Sequence, residues 1–109
     1  MRIAVVGSRA ITDVDIGAYL EECDEIVSGG AKGVDACAAA YAKQHNIPLT
    51  EFLPDYKRYG RAAPLIRNRE IVAYADKVLV FWDGHSKGAQ WVIRYAEQTG
   101  KRCQVIRCR

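Results

Sequence analysis

Glu25-Ile26-Val27-Ser28-Gly29-Gly30-Ala31-Lys32-Gly33-Val34-Asp35 reads as a short apolar strand, a glycine-rich turn and the start of a helix. The strand ends at Ser28 because Gly29-Gly30 favours a turn over continued extension. The helix predicted from about Gly33 to Gln44 is rich in alanine and carries Val34, Ala38, Tyr41 and Ala42 on one face. A strand that runs straight into a helix is half of a parallel βαβ unit.

The same alternation repeats on both sides of that stretch. Upstream, Ile3-Ala4-Val5-Val6 predicts a buried strand ending at Gly7, and Thr12-Asp13-Val14-Asp15 resembles a capping box that would open a first helix at Thr12. Downstream, Pro48 leads into a strand over Leu49 to Leu53, followed by a loop from Pro54 to Ala63. Pro64 suits the first position of a helix running to about Ala75, with Leu65, Asn68, Val72 and Ala75 along one stripe. Val78 to Trp82 is the most apolar strand; a helix from about Gly88 to Thr99, closed by Gly100, leads to a short last strand, Gln104 to Ile106.

This pattern predicts one three-layer α/β Rossmann-like domain over residues 1–109, with five parallel strands. Strands one and four read as continuous apolar runs, whereas strands three and five are diluted with polar residues and suit edges. Order 3-2-1-4-5 satisfies both conditions. It also puts the switch point, where open α/β sheets bind ligands, between strands one and four.

Composition narrows the function classes. Half of the 109 residues are apolar and 27% are charged, which argues against a disordered chain. No apolar run approaches the ~20 residues that cross a bilayer, and the start lacks a signal-peptide core, so the expected location is the cytoplasm. A net charge of +3 suits a phosphate-bearing partner but falls short of a dedicated nucleic-acid binder's basic footprint. Basic residues concentrate in Lys57 to Arg69 and in Lys101, Arg102, Arg107 and Arg109, and either group also suits ordinary solvated surface. Cys23, Cys37, Cys103 and Cys108 form no CxxC, while His45 and His85 stand alone; neither metal nor cofactor is expected, and the thiols read as buried or half-buried.

Three loops would meet at the C-terminal rim of the sheet: Gly7-Ser8-Arg9, Ser28 to Asp35, and Asp83-Gly84-His85-Ser86-Lys87-Gly88. Glycine allows close backbone approach to an anion, and the following helix offers unpaired N–H groups with a positive dipole end. One such turn is as often tight strand-to-helix packing, but two of them plus a Gly-Ser-Arg turn favour phosphate. Asp35 reads equally as an ordinary first-turn acid or as a hydrogen-bond acceptor for ribose or base. On spacing alone, Arg67-Asn68-Arg69 belongs to a surface helix on which Glu70 pairs with Arg67 at i,i+3.

Together, Gly7 to Arg9, Ser28 to Asp35, Arg67 to Arg69, Ala75-Asp76 and the segment from Trp82 to Gly88 resemble the SLOG superfamily. That group joins the Rossmann domain of DNA-processing protein A (Smf) to the LOG phosphoribohydrolases. The resemblance is to its small stand-alone branch, the YspA/YpsA-related proteins, and covers nearly the whole chain. It implies a domain that binds a nucleotide or nucleotide-derived ligand, as a sensor or as an effector in phage- and stress-related systems. Gly29, Gly30 and Gly33 would offer amides to phosphate, with Gly7 and the hydroxyls of Ser8 and Ser28 beside them. Arg9 and Arg67 would supply charge, Asn68 and Asp35 would meet sugar or base, and Gly84, Ser86, Lys87 and Gly88 would close the other side.

Two relatives supply alternatives. LOG enzymes cleave an N-glycosidic bond with a glutamate in a PGGxGTxxE loop; counting from Gly88-Ala89, that position is Val92 here, and only Asp83 stands nearby as a substitute. An N-glycosidase with displaced catalytic residues is therefore the first alternative. A single-stranded DNA-binding module is the second, although Trp82, Tyr59 and Trp91 are few aromatics for stacking bases, and Trp91 reads as core or dimer contact. Edge strands and aromatic surface also suggest a homodimer.

Overall fold

A computed structural model describes residues 1–20 and 23–108. β1 (Arg2–Gly7), β2 (Glu25–Ser28), β3 (Leu49–Glu51), β4 (Lys77–Trp82) and β5 (Arg102–Arg107) form one parallel sheet in the order β3-β2-β1-β4-β5. In the register, Ile3 of β1 faces Ile26 of β2 on one side and Lys77 of β4 on the other. The three long helices are α1 (Val34–Gln44), α3 (Ala63–Tyr74) and α4 (Lys87–Thr99); α2 (Tyr56–Tyr59) is a single turn.

Strand alternation divides the core between the two faces of the sheet. Ile3 and Val5 of β1, with Leu79 and Phe81 of β4, pack against Val34, Ala38 and Ala42 of α1. Ala4, Val78 and Val80 point the opposite way, onto Ile71 and Val72 of α3 and Ala89 and Val92 of α4. The central strands are thus apolar on both faces, which is why they read as unbroken hydrophobic runs.

The helix expected from Thr12 does not form. Residues 11–16 are irregular, and only Gly17–Tyr19 makes a 3₁₀ turn. Thr12, Val14 and Ile16 are β-branched and alternate with aspartates, all poor helix formers. The Asp15 carboxylate accepts the Gly17 N–H at 3.2 Å, a local bond that competes with helical pairing. Hydrophobic burial survives without the helix: Ile11, Ile16 and Leu20 cover the sheet beside α1. Glu21 and Glu22, after this segment, and Arg109 of the basic tail lie outside the described residues.

Other expectations shift locally. β3 stops at Glu51, short of Leu53. The loop after it contains α2, whose N-cap Asp55 accepts the Arg58 N–H at 3.2 Å, and a 3₁₀ turn at Gly60–Ala62. Pro64 does sit in the first turn of α3, but the buried stripe there is Ala63, Ile71 and Val72, continued by Ala75. Leu65 is 43% exposed. α4 starts at Lys87, one residue before the expected Gly88, with Ser86 as its N-cap, and ends at Gly100 in the left-handed conformation, as its sequence predicts. No helix among the described residues is long and apolar enough to cross a membrane.

Candidate functional site

A cleft of about 410 Å³ opens at the C-terminal ends of β1 and β4. Its floor is Val6 and Gly7 at the end of β1, where the strand order switches from β2 on one side to β4 on the other. The β1 loop contributes Ser8 and Arg9, and the β2 loop contributes Gly29, Ala31 and Asp35. From α3 come Arg67 and Asn68, and from the β4–α4 turn come Asp83, Ser86 and Gly88. All three loops singled out in the sequence therefore share one cavity.

Arg67 is the most constrained charged group in it. Its Nη1 donates to the Gly29 carbonyl at 2.7 Å, and its Nε donates to Asn68 Oδ1 at 2.8 Å. A side chain at Gly29 would overlap the Arg67 guanidinium and come within 3.1 Å of Asp35 Oδ2, so glycine is what lets these groups converge. The expected ion pair between Arg67 and Glu70 is absent among the described residues; tertiary contact has taken the arginine inward.

Three ionisable groups set the electrostatics. Burial pushes the Asp35 carboxyl above its ordinary range, opposed by the Ala31 N–H at 3.1 Å, by the Arg67 charge and by the Gly29 N–H. Burial also pulls Arg67 downward, against the attraction of Asp35. Asp83 moves the other way. Its Oδ1 accepts the N–H groups of His85 at 2.8 Å and Ser86 at 2.9 Å, which hold it below the usual carboxylate range. One acid is thus biased towards keeping a proton and the other towards losing it.

The remaining predicted residues do not line the cavity. Ser28 is fully buried, and its Oγ accepts the Gly30 N–H at 3.3 Å, shaping the turn. Gly30 faces Leu53 and Glu51 rather than the cleft. Gly33, at φ 75°, packs so tightly on the Ser8 and Arg9 carbonyls that a Cβ would come within 2.7 Å of both oxygens. Lys87 is exposed at the start of α4, and Gly84 lies against Arg107. Pro64, Ile71 and Ala89, which also line the cleft, carry no chemical signature that would mark them in a sequence.

Val92, at the position where LOG enzymes place glutamate, is 1% exposed among the core residues between α3 and α4. Trp82 donates its indole N–H to the Ser86 carbonyl at 3.0 Å and lies beneath the Arg107 guanidinium. Trp91 stacks on Tyr95 with ring centres 5.0 Å apart and packs against the core. Among the described residues no group of three or more His, Cys, Asp or Glu side chains is placed to hold a metal ion.

The cleft gathers positive charge and backbone donors. Arg9 and Arg67 supply positive charge, and the first turn of α4 brings N–H groups with no intrahelical acceptor to the same wall. The model of the YAcAr family, described as the YspA, cpYpsA-related SLOG family, matches residues 1–59, just over half of the chain. That span carries β1, the β2 loop and α1, whereas Arg67, Asn68 and the β4–α4 turn lie beyond it. No curated protein and no solved structure matches the chain.

Proposed function

The chain belongs to the YspA- and cpYpsA-related SLOG family, and from that premise we propose that it is a sensor-type module for a phosphorylated nucleoside. Membership of the family suggests a nucleotide-derived ligand. The observation that carries the proposal is the half-buried Arg67, fixed by Gly29 and Asn68 and facing the α4 N-terminus across one cleft. Phosphate sits between the arginine and the helix amides; the sugar hydroxyls lie towards Asp35 and Asn68. Residues 1–109 act as one domain.

Binding rather than bond cleavage is the endpoint. A general acid for an N-glycosidic bond must hold a proton near neutral pH; Asp83 is biased against doing so, and Asp35, biased the other way, is engaged by the Ala31 amide of its own loop. Val92 cannot supply the missing carboxylate. The four unpaired cysteines support a cytoplasmic setting, and exposed Leu53, Tyr56 and Leu65 support a homodimer.

Calorimetric titration with adenosine and with adenosine 5′-monophosphate tests the reading. The monophosphate should bind at least roughly tenfold more tightly, the equivalent of one charge-assisted hydrogen bond. Arg67→Ala should remove that difference while the protein still melts cooperatively. Equal binding of the two compounds, or a folded Arg67→Ala protein that retains the preference, overturns it. Chromatography of the same mixtures should show no free adenine above background; release that Asp83→Asn removes would establish the enzyme alternative instead.

A further inference from the structure

The β4–α4 turn has a second side that the cleft does not use. There Asp83, His85, Arg107 and Cys108 border a groove of about 570 Å³, and Asp83 lines both this groove and the cleft. Arg107 occupies the C-terminal end of β5, paired in register with Trp82. Its guanidinium lies over the Trp82 ring, 5.6 Å from the centroid, and across the open face of Gly84. A side chain at Gly84 would overlap that guanidinium, and the glycine holds φ 88°. The Trp82 indole is itself tied to the Ser86 carbonyl. Arg107 is therefore positioned by the same turn that walls the cleft.

No carboxylate of the described residues forms an ion pair with Arg107. Asp83, the nearest acid in the groove, directs one oxygen at the His85 and Ser86 amides of its own turn. The fold thus holds an arginine against an aromatic face, which costs conformational freedom, and the one carboxylate beside it in the groove, Asp83, is engaged by the amides of its own turn. The Arg67 guanidinium, reaching from α3, meets the Gly29 carbonyl just after β2, and the Arg107 guanidinium leans over the turn after β4, so the two sit on opposite sides of the end of β1.

We infer that Arg107 and His85 form a second anion subsite, continuous with the cleft around Asp83, for a ligand carrying two phosphates separated by a sugar. The inference rests on the proposed phosphate site at Arg67 and extends it. A nucleoside 3′,5′-bisphosphate and a 5′-phosphorylated dinucleotide share this chemistry.

Titration of the full chain with adenosine 5′-monophosphate, adenosine 3′,5′-bisphosphate and 5′-phosphorylated diadenylate separates the possibilities. The wild type should bind one or both two-phosphate probes at least roughly tenfold more tightly than the monophosphate, and the tighter one identifies the source. Arg107→Gln should erase that advantage and leave monophosphate affinity unchanged, with Arg107→Lys retaining part of it. Arg107 is exposed on an edge strand, so both variants should melt close to the wild type. If the monophosphate binds through Arg67 but the two-phosphate probes gain nothing, or Arg107→Gln leaves their gain intact, the second subsite falls and the first stands. If no probe binds the wild type, both fall.

Discussion

Asp35 brings burial and function into conflict. Its carboxyl titrates higher in the folded chain than in the unfolded one, because burial outweighs the Ala31 amide and the Arg67 charge. Between the two pKa values the folded protein holds the extra proton, so stability falls as pH rises through that window. Above it the full penalty persists. Asp35→Asn keeps an oxygen for the Ala31 N–H and removes the buried charge. Thermal melts from roughly pH 4 to pH 8 should therefore show the variant gaining stability over the wild type as pH rises. Glu25 has the opposite sign. Thr50 and Tyr74 hydroxyls, each 2.6 Å from its Oε2, hold it below the ordinary range. Its contribution is present above the unfolded-state pKa and disappears as pH falls through the folded one, so Glu25→Gln should flatten the acid limb of the same melts.

Among the elements, α4 joins the core to the site. Ser86 caps it by accepting the Ala89 N–H at 3.3 Å, and the same residue walls the cleft. Ser86→Ala should cost about 1 kcal/mol in denaturant melts, and it should weaken phosphate binding by loosening the turn. Val92→Glu tests the buried side of the helix. An ionised carboxylate there has no partner among Ile71, Val72 and Val80. The expected loss is about 3 kcal/mol or more, seen as a lowered denaturation midpoint or as insoluble protein. A stable Val92→Glu protein would mean that α4 can turn this position towards the cleft, and the enzyme alternative would regain its carboxylate.

For the whole molecule, net charge and salt decide between a small ligand and a nucleic acid. With +3 overall, the chain offers Arg9, Lys32, Arg67, Arg69 and Lys87 on the rim loops and the helices beside them, with Arg107 against the β4–α4 turn. If each met a phosphate of single-stranded DNA, log affinity would fall against log salt by about 0.7 per contact. A mononucleotide held by one or two arginines and backbone amides should show a much shallower slope. Oligonucleotide binding is expected to vanish near physiological salt while mononucleotide binding persists. Salt-resistant binding of single-stranded DNA, poorly competed by mononucleotides and weakened by Trp82→Ala, would reverse that ranking.

Periodicity and punctuation alone determined the strand order and the switch point. The runs Ile3 to Val6 and Val78 to Trp82 are apolar throughout because two layers cover them, and β3 and β5 carry charge because they are edges. Glycine turns marked the rim loops for the same reason: local backbone geometry is written in local residues. Segment 11–16 was not legible, because a capping-box pattern cannot weigh helix propensity against burial of Ile11 and Ile16 on the sheet. Arg67 was the other limit. On spacing it faced Glu70; in the fold it faces Gly29, thirty-eight residues earlier. Only the tertiary structure could decide that, because the partner is a backbone carbonyl in the loop after β2 and no side-chain pattern advertises a carbonyl.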